Sequence, residues 1–235
     1  MSIKAVLFDL DGTLLPMDTD VFARTYFSRF GKTLAEYGMN PDVFKKALNA
    51  GIVAMRKNDG SATNEQLFWR VFKSEAGGIT ENQMEAFDYF YDKVFPTVRE
   101  VCSTEPLART ALDMLRQKGI RTVLATAPVF PETATRQRAG WGNVYFSDFE
   151  LVTTYENARH TKPSLDYYRD IVNFLGVRAQ ECLMIGNDAY EDMAAAELGM
   201  EVFLVTDFLI NRNGLDISRY PHGSFSDMVE RLKLL

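Results

Sequence analysis

From Leu107 onward the chain alternates two hydrophobic periodicities, and that alternation leaves few folds open. Helical spacing runs from Leu107 to Gln117 and stops at Gly119, and a compact apolar run follows over Arg121 to Ala125. The exchange then repeats. Helical spacing covers Glu132 to Ala139, Leu165 to Leu175 (closed by Gly176) and Glu191 to Leu198. Strand-like runs cover Leu151 to Thr154, Cys182 to Ile185 and Val202 to Val205. Short apolar runs bounded by turn residues read as fully buried strands, and recurrence at three and four residues reads as helix. Strands separated by helices need crossover connections, so they lie parallel and both faces of their sheet are covered. One more run, Ala5 to Phe8, adds a strand near the N-terminus.

From Asp18 to about Arg99 there is no convincing strand, and helical spacing recurs. Val21, Phe22, Tyr26, Phe27 and Phe30 share one helical stripe, and Val43, Phe44, Ala47, Leu48 and Ile52 share another. Leu67, Phe68, Val71 and Phe72 follow, then Met84, Phe87, Phe90, Tyr91 and Val94. Asp20, Pro41 and Asn64 lie near helix starts, Gly60 and Gly77-Gly78 mark breaks, and Pro96 lies near the return linker. The expected class is therefore α/β: a Rossmann-like parallel sheet with helices on both faces, built from residues 1–16 and 100–235, with an all-α domain over residues 17–99 inserted after the first strand. The aromatic residues Phe68, Trp69 and Phe72 read as core of that insertion rather than as a stack for substrate.

Charge and cysteine usage narrow the function classes. The net charge is −6, so there is no basic footprint for nucleic acid. A small anionic substrate stays open, because a bound metal ion inverts the local field. Cys102 and Cys182 have no metal-ligand spacing and make no disulfide framework, and Cys182 reads as a buried core thiol. Asp9 and Asp11 interrupt the N-terminal apolar run, which argues against a signal peptide, and no stretch reaches the ~20 apolar residues of a membrane span. The expectation is a cytoplasmic protein without membrane partners. Nothing in the sequence sets its oligomeric state.

Parallel sheets bind ligands beyond the carboxyl ends of their strands. The first strand ends in Asp9-Leu10-Asp11-Gly12-Thr13. Two acids delivered into a glycine turn suit a metal ion and a nucleophile: carboxylates are hard oxygen ligands for Mg²⁺, and one can attack phosphorus while the other moves a proton. Gly12 lets the backbone turn and approach a ligand closely. Taken alone, the run also fits an Asx turn with solvated acids. Thr126 ends the strand Val123-Leu124-Ala125, Lys162 precedes Pro163 at the head of a helix, and Gly186-Asn187-Asp188 follows Leu183-Met184-Ile185, with Asp192 four residues beyond Asp188. Singly, Thr126 is a turn residue, Lys162 a solvated neighbour and Asp192 a first-turn acid favoured by the helix dipole. Their joint placement at strand ends is what points to chemistry.

In these four motifs, and in their order, the chain resembles the haloacid dehalogenase superfamily, which is mostly phosphatases, and the resemblance covers its whole length. The helical insertion resembles the family's C1 cap. The resemblance implies that Asp9 is the nucleophile, forming an aspartyl-phosphate, and that Asp11 protonates the leaving oxygen and then activates water. It implies a Mg²⁺ site from the Asp9 carboxylate, the Asp11 carbonyl and Asp188, with Asp192 acting from behind. It further implies that Thr126 and the Ala127 amide hold phosphate oxygens, that Lys162 neutralises the phosphate and orients Asp9, and that Gly12 and Thr13 lie at the phosphate end.

Two positions depart from the family pattern. Ala127 stands where Asn is common, although the expected contact is its backbone amide. Asn187 separates Gly186 from Asp188, either as an added neutral ligand or as a cap on the turn. Arg56, Lys57 and Asn58, in an interhelical loop, are the candidate specificity residues, and His160 and His222 read as loop histidines. The expected activity is Mg²⁺-dependent hydrolysis of a small phosphorylated metabolite, a phosphate monoester. Asp11 argues against a dehalogenase, since breaking a carbon–halogen bond needs no protonated leaving oxygen. A phosphomutase using the same chemistry is the alternative, and a catalytically idle binding or regulatory protein on the same fold is the reading from a different class.

Overall fold

Six short parallel strands form one sheet in the computed structural model, which describes residues 2–235. They are β1 (Ala5–Phe8), β2 (Arg121–Leu124), β3 (Leu151–Val152), β4 (Cys182–Gly186), β5 (Glu201–Val205) and β6 (His222–Gly223), in the spatial order β3-β2-β1-β4-β5-β6. The first strand is central, and the chain order reverses across it. Phe8 is in register with Leu124 on one side and Ile185 on the other, so the carboxyl ends of three strands finish level. That is the crevice where such sheets bind ligands.

Side chains alternate between two faces. Val6, Phe8, Leu124, Leu183 and Ile185 pack on the face covered by α5 (Ala108–Gln117), α6 (Glu132–Trp141) and α8 (Phe225–Lys233). Ala5, Leu7, Val123, Cys182 and Met184 pack on the other, under α7 (Leu165–Leu175). Both faces are dry, which is why these strands read as continuous apolar runs.

Four helices follow β1: α1 (Thr19–Glu36), α2 (Pro41–Arg56), α3 (Asn64–Glu75) and α4 (Glu81–Tyr89). Asp18, Asn40, Thr63 and Thr80 cap them through their side chains, one or two residues ahead of the starts read from the sequence where one was read. After α4 the backbone continues as a π-type turn over Phe90–Val94 and a 3₁₀ stretch over Phe95–Val101, with Pro96 unable to sustain an α-helical bond. The Ser103 amide bonds the Pro16 carbonyl at 2.9 Å, so the connections into and out of the helical layer run side by side. The layer is also stitched to the sheet at the start of α3. The fully buried Asn64 donates from Nδ2 to the Pro128 carbonyl at 3.0 Å, and its amide bonds the Ala158 carbonyl at 2.9 Å.

Two differences from the sequence reading stand out. The segment ending at Leu198 is a 3₁₀ stretch over Met193–Leu198 rather than an α-helix from Glu191. The C-terminal part, to which periodicity gave no assignment, forms β6, opened by His222, and the amphipathic α8, whose Ser224 and Asp227 make a capping box. Among the described residues no helix is long and apolar enough to cross a membrane.

Candidate active site

Asp9 leaves the end of β1 with its amide bonded to the Ile185 carbonyl at 2.8 Å, and its side chain is almost fully enclosed. Lys162, 3% exposed, reaches it from the head of α7. The Lys162 Nζ donates to Asp9 Oδ1 at 2.8 Å and to Asp192 Oδ1 at 2.6 Å. Asp192 Oδ2 accepts the Asp188 amide at 2.9 Å. Both Asp192 oxygens are thus engaged, and it holds Lys162 and the loop after β4. One cation serves two buried carboxylates. Burial pushes the Asp9 carboxyl up to about 8, against the opposing pull of Lys162. Burial also works against the Lys162 charge, but Asp192 and Asp9 together hold its ammonium well above the usual range.

Two glycines make this packing possible. A Cβ on Gly186 would lie 2.1 Å from Asp192 Oδ2, so a side chain there evicts the carboxylate that anchors Lys162. Gly186→Ala should destabilise the chain by about 1–3 kcal/mol, read by chemical denaturation, because the clash is with a buried ion-paired group. Gly12 has φ +83°, and a Cβ on it would lie 2.2 Å from Asn187 Nδ2. Asn187 is itself fully used: its Oδ1 accepts from Thr13 Oγ1 at 3.2 Å and its Nδ2 donates to the Phe208 carbonyl at 2.6 Å. It clamps the first-motif turn to the loop after β5. Of its two readings, the geometry favours the turn clamp, and Thr13 belongs to that clamp rather than to a phosphate cradle.

Asp9, Asp11, Thr126, Ala127, Lys162, Asn187, Asp188 and Asp192 line one cavity of about 390 Å³. The Thr126 carbonyl accepts from Thr153 Oγ1 at 2.7 Å and from the Tyr167 hydroxyl at 3.1 Å, which fixes the peptide joining Thr126 to Ala127. Asp188 Oδ1 accepts the amides of Tyr190 and Glu191 at 2.8 and 2.9 Å, leaving Oδ2 free. Burial nonetheless pushes the Asp188 carboxyl up, outweighing those amides. Asp11 Oδ1 is buried with no partner. Among the described residues no three His, Cys, Asp or Glu side chains form a ready cage for a metal. The Asp9 carboxylate, the Asp11 carbonyl and the free Asp188 Oδ2 are hard oxygens that fit a cation held by one or two carboxylates and otherwise hydrated, which is the habit of Mg²⁺.

Arg138 is the residue that sequence reading missed. It lies on α6, is fully buried, and donates from Nη1 to Asp11 Oδ2. Its guanidinium lies 4.2 Å from the centroid of the Phe130 ring, and Nη2 donates to Thr135 Oγ1 at 3.2 Å. A signal was present, because Ala134, Thr135, Arg138, Ala139 and Trp141 form the buried side of α6, and an arginine on that stripe asks for an acid.

The interhelical loop is divided. Arg56 lines the cavity and pairs with Glu191 at 3.5 Å. Lys57 caps α2 and lines no cavity described here. Asn58 is spent on its own turn, donating to the Ala62 carbonyl at 2.9 Å and to Asn64 Oδ1 at 2.8 Å. The structure therefore brings neither Lys57 nor Asn58 to the site. His160 bonds Asp170 Oδ2 through Nδ1 at 2.7 Å, away from Lys162. A second cavity, of about 730 Å³, shares Asp11, Thr19, Arg56, Ala127 and Arg212 with the first and extends between the helical layer and the sheet. Phe68 and the half-buried Trp69 line it, so of the three aromatic residues read as core, Phe72 alone stays out of the cavity lining.

Comparison with known proteins places this geometry. A family model described as haloacid dehalogenase-like hydrolase matches residues 3–199. A ribulose-1,5-bisphosphate 5-phosphatase of Halopiger xanaduensis is 27% identical over 213 residues, covering 85% of this chain and 83% of that protein. Pyrophosphatase PpaX of Bacillus cereus (strain AH820) is 22% identical, covering 100% of this chain and 97% of that protein. The crystal structure of a HAD phosphatase from Thermococcus onnurineus superimposes with a TM-score of 0.59 at 20% identity, over 98% of each chain.

Proposed function

The chain belongs to the haloacid dehalogenase-like hydrolases, and from that membership we propose that it is a Mg²⁺-dependent phosphatase that cleaves a small phosphate monoester through an aspartyl-phosphate. The observation that carries the reading is the pairing of a buried, Lys162-bound Asp9 with Asp11 in one cavity at the end of β1. Relatives named as a bisphosphate phosphatase and a pyrophosphatase support phosphoryl chemistry.

Lys162 fixes Asp9 Oδ1, which leaves Oδ2 to attack phosphorus. As the bond from Asp9 to phosphorus forms, the ester oxygen departs and takes a proton from Asp11. Arg138 holds Asp11 by Oδ2, so Oδ1 is the oxygen that carries this proton. In the second half Asp11 takes a proton from water, the oxygen of that water bonds to phosphorus, and the bond to Asp9 breaks to release phosphate. Thr126 and the Ala127 amide orient the phosphoryl oxygens, and Lys162 offsets their charge. Asp9, the Asp11 carbonyl and Asp188 would hold Mg²⁺, which when bound supplies the positive charge that a carboxylate attacking a dianion needs. The helical layer over residues 17–99 acts as the cap that excludes water from the intermediate.

The deciding experiment is phosphate release from a panel of phosphorylated metabolites with Mg²⁺ and with chelator. Release should need Mg²⁺, and chelator should lower stability only modestly, because a mostly hydrated ion is not a folding staple. Asp188→Ala should raise the Mg²⁺ concentration for half-maximal rate by more than tenfold. Undiminished turnover in chelator would overturn the metal assignment.

Arg138 gives a further expectation. Arg138→Met should lower kcat by about 10–100-fold, the scale of a catalytic group misplaced by an ångström. KM should stay within about twofold, since Arg138 does not line the cavity that takes the phosphate. An altered pH profile of kcat separates this positioning role from simple loss of packing.

A further inference from the structure

The cavity beside the phosphoryl site is built for a particular kind of alcohol. It holds about 730 Å³, the size of a small-molecule site, and it meets the phosphoryl cavity at Asp11 and Ala127. Ten aromatic side chains line it, among them Tyr26, Trp69, Phe87, Tyr91, Phe130 and Tyr155. Tyr26 and Phe130 meet at 71° with centroids 5.3 Å apart, and Trp69 and Phe87 meet at 62° and 4.9 Å. Such a wall offers ring faces and ring edges to a planar guest. The Tyr26 and Tyr91 hydroxyls bond each other at 2.9 Å, so one of the two O–H donors is spent within the wall.

The charges argue in the same direction. Arg56 and Arg212 are the cations of the lining, and each already faces an acid: Glu191 at 3.5 Å for Arg56 and Asp20 at 2.5 Å for Arg212. Asp88, Asp92 and Glu156 add further negative charge to the lining. A leaving group carrying a second phosphate or a carboxylate would meet repulsion there, and a polyol would find mostly rings.

We propose that the leaving group is a bulky, uncharged aromatic alcohol, seated among these rings with its ester oxygen at Asp11. This rests on the phosphatase reading above. Hydrolysis then converts the ester and one water into the free alcohol and inorganic phosphate, with the alcohol oxygen taking its proton from Asp11.

The test compares esters of similar leaving-group acidity on the full chain with Mg²⁺, 2-(1-naphthyl)ethyl phosphate against ethyl phosphate and glycerol phosphate, with pyrophosphate, an anhydride with a more acidic leaving group, as the charged arm. The naphthyl ester should be favoured in kcat/KM by about 100-fold or more, from the apolar area it buries. Trp69→Ala should cut that preference by about tenfold, and Trp69→Phe should keep most of it. Equal kcat/KM for all esters, or preference for the polar ones, overturns this proposal and leaves the phosphatase reading standing. No phosphate from any ester overturns the phosphatase reading, and this proposal with it.

Discussion

Asp9→Asn should lower phosphate release by more than about 1000-fold while the chain stays folded, because an amide oxygen does not displace an alcohol from phosphorus. The substitution keeps the shape of the side chain, and Lys162 retains Asp192 at 2.6 Å, so the surrounding packing survives. A second readout separates the loss of a nucleophile from damage. Burial raises the Asp9 carboxyl from 3.8 to about 8 in the metal-free protein. The folded chain therefore holds a proton that the unfolded chain gives up, and the stability linked to it is present at low pH and lost as pH climbs through that window. Asparagine has no proton to lose. In chelator, the variant should match wild type near pH 4 and melt at a higher temperature than wild type at pH 9. Turnover within tenfold of wild type would overturn the covalent mechanism. A variant that is less stable than wild type at pH 9 would mean that Asp9 is held as a satisfied carboxylate.

The central strands and the three strand ends that carry the site are legible because each depends on short-range pattern. The runs Val6-Leu7-Phe8 and Leu183-Met184-Ile185 are buried on both faces, so every residue is apolar and nothing dilutes the signal. The ends of β1, β2 and β4 are level by register, so residues that simply follow an apolar run meet in space. What escaped depends on orientation. Arg138 meets Asp11 from 127 positions away, and nothing near either residue announces the other. Arg56, Lys57 and Asn58 were treated as one polar group, yet neighbouring residues at a helix end differ by about 100° in direction. When Arg56 turns to Glu191, Lys57 turns away. The aromatic stripes of the insertion were legible as helix faces, but the same pattern describes rings packed solid and rings around a hollow. Phe72 is the first kind and Trp69 the second. The loop after β5 has no periodicity, so its Phe208 carbonyl and Arg212 enter the site unannounced.

Lys162→Met should be the most damaging substitution for stability, and it should cost much of the activity as well. Among the described residues Lys162 is the one side-chain cation within bonding distance of Asp9 and Asp192, at 2.8 and 2.6 Å, and all three side chains are buried. Methionine fills much the same volume, so packing changes little and the electrostatic loss is isolated. Removing one partner of a buried pair typically costs about 3–5 kcal/mol, because the charge left behind has neither water nor a counter-ion. Here Asp192 loses its ammonium partner, and Asp9, whose carboxyl burial pushes up to about 8, loses its own once it ionises. Denaturant unfolding at pH 7 should show that loss. The gap to wild type should widen as pH rises above 8, where Asp9 ionises beside Lys162 in wild type but has no cation in the variant. Activity should fall by about 1000-fold even where the variant is folded, because the phosphoryl group loses a fixed positive charge and Asp9 loses its orientation. A gap that stays constant from pH 7 to pH 10 would mean that the loss is one of packing. In that case Lys162 would be a structural residue that happens to touch Asp9, and bound Mg²⁺ would be left to oppose the phosphoryl charge.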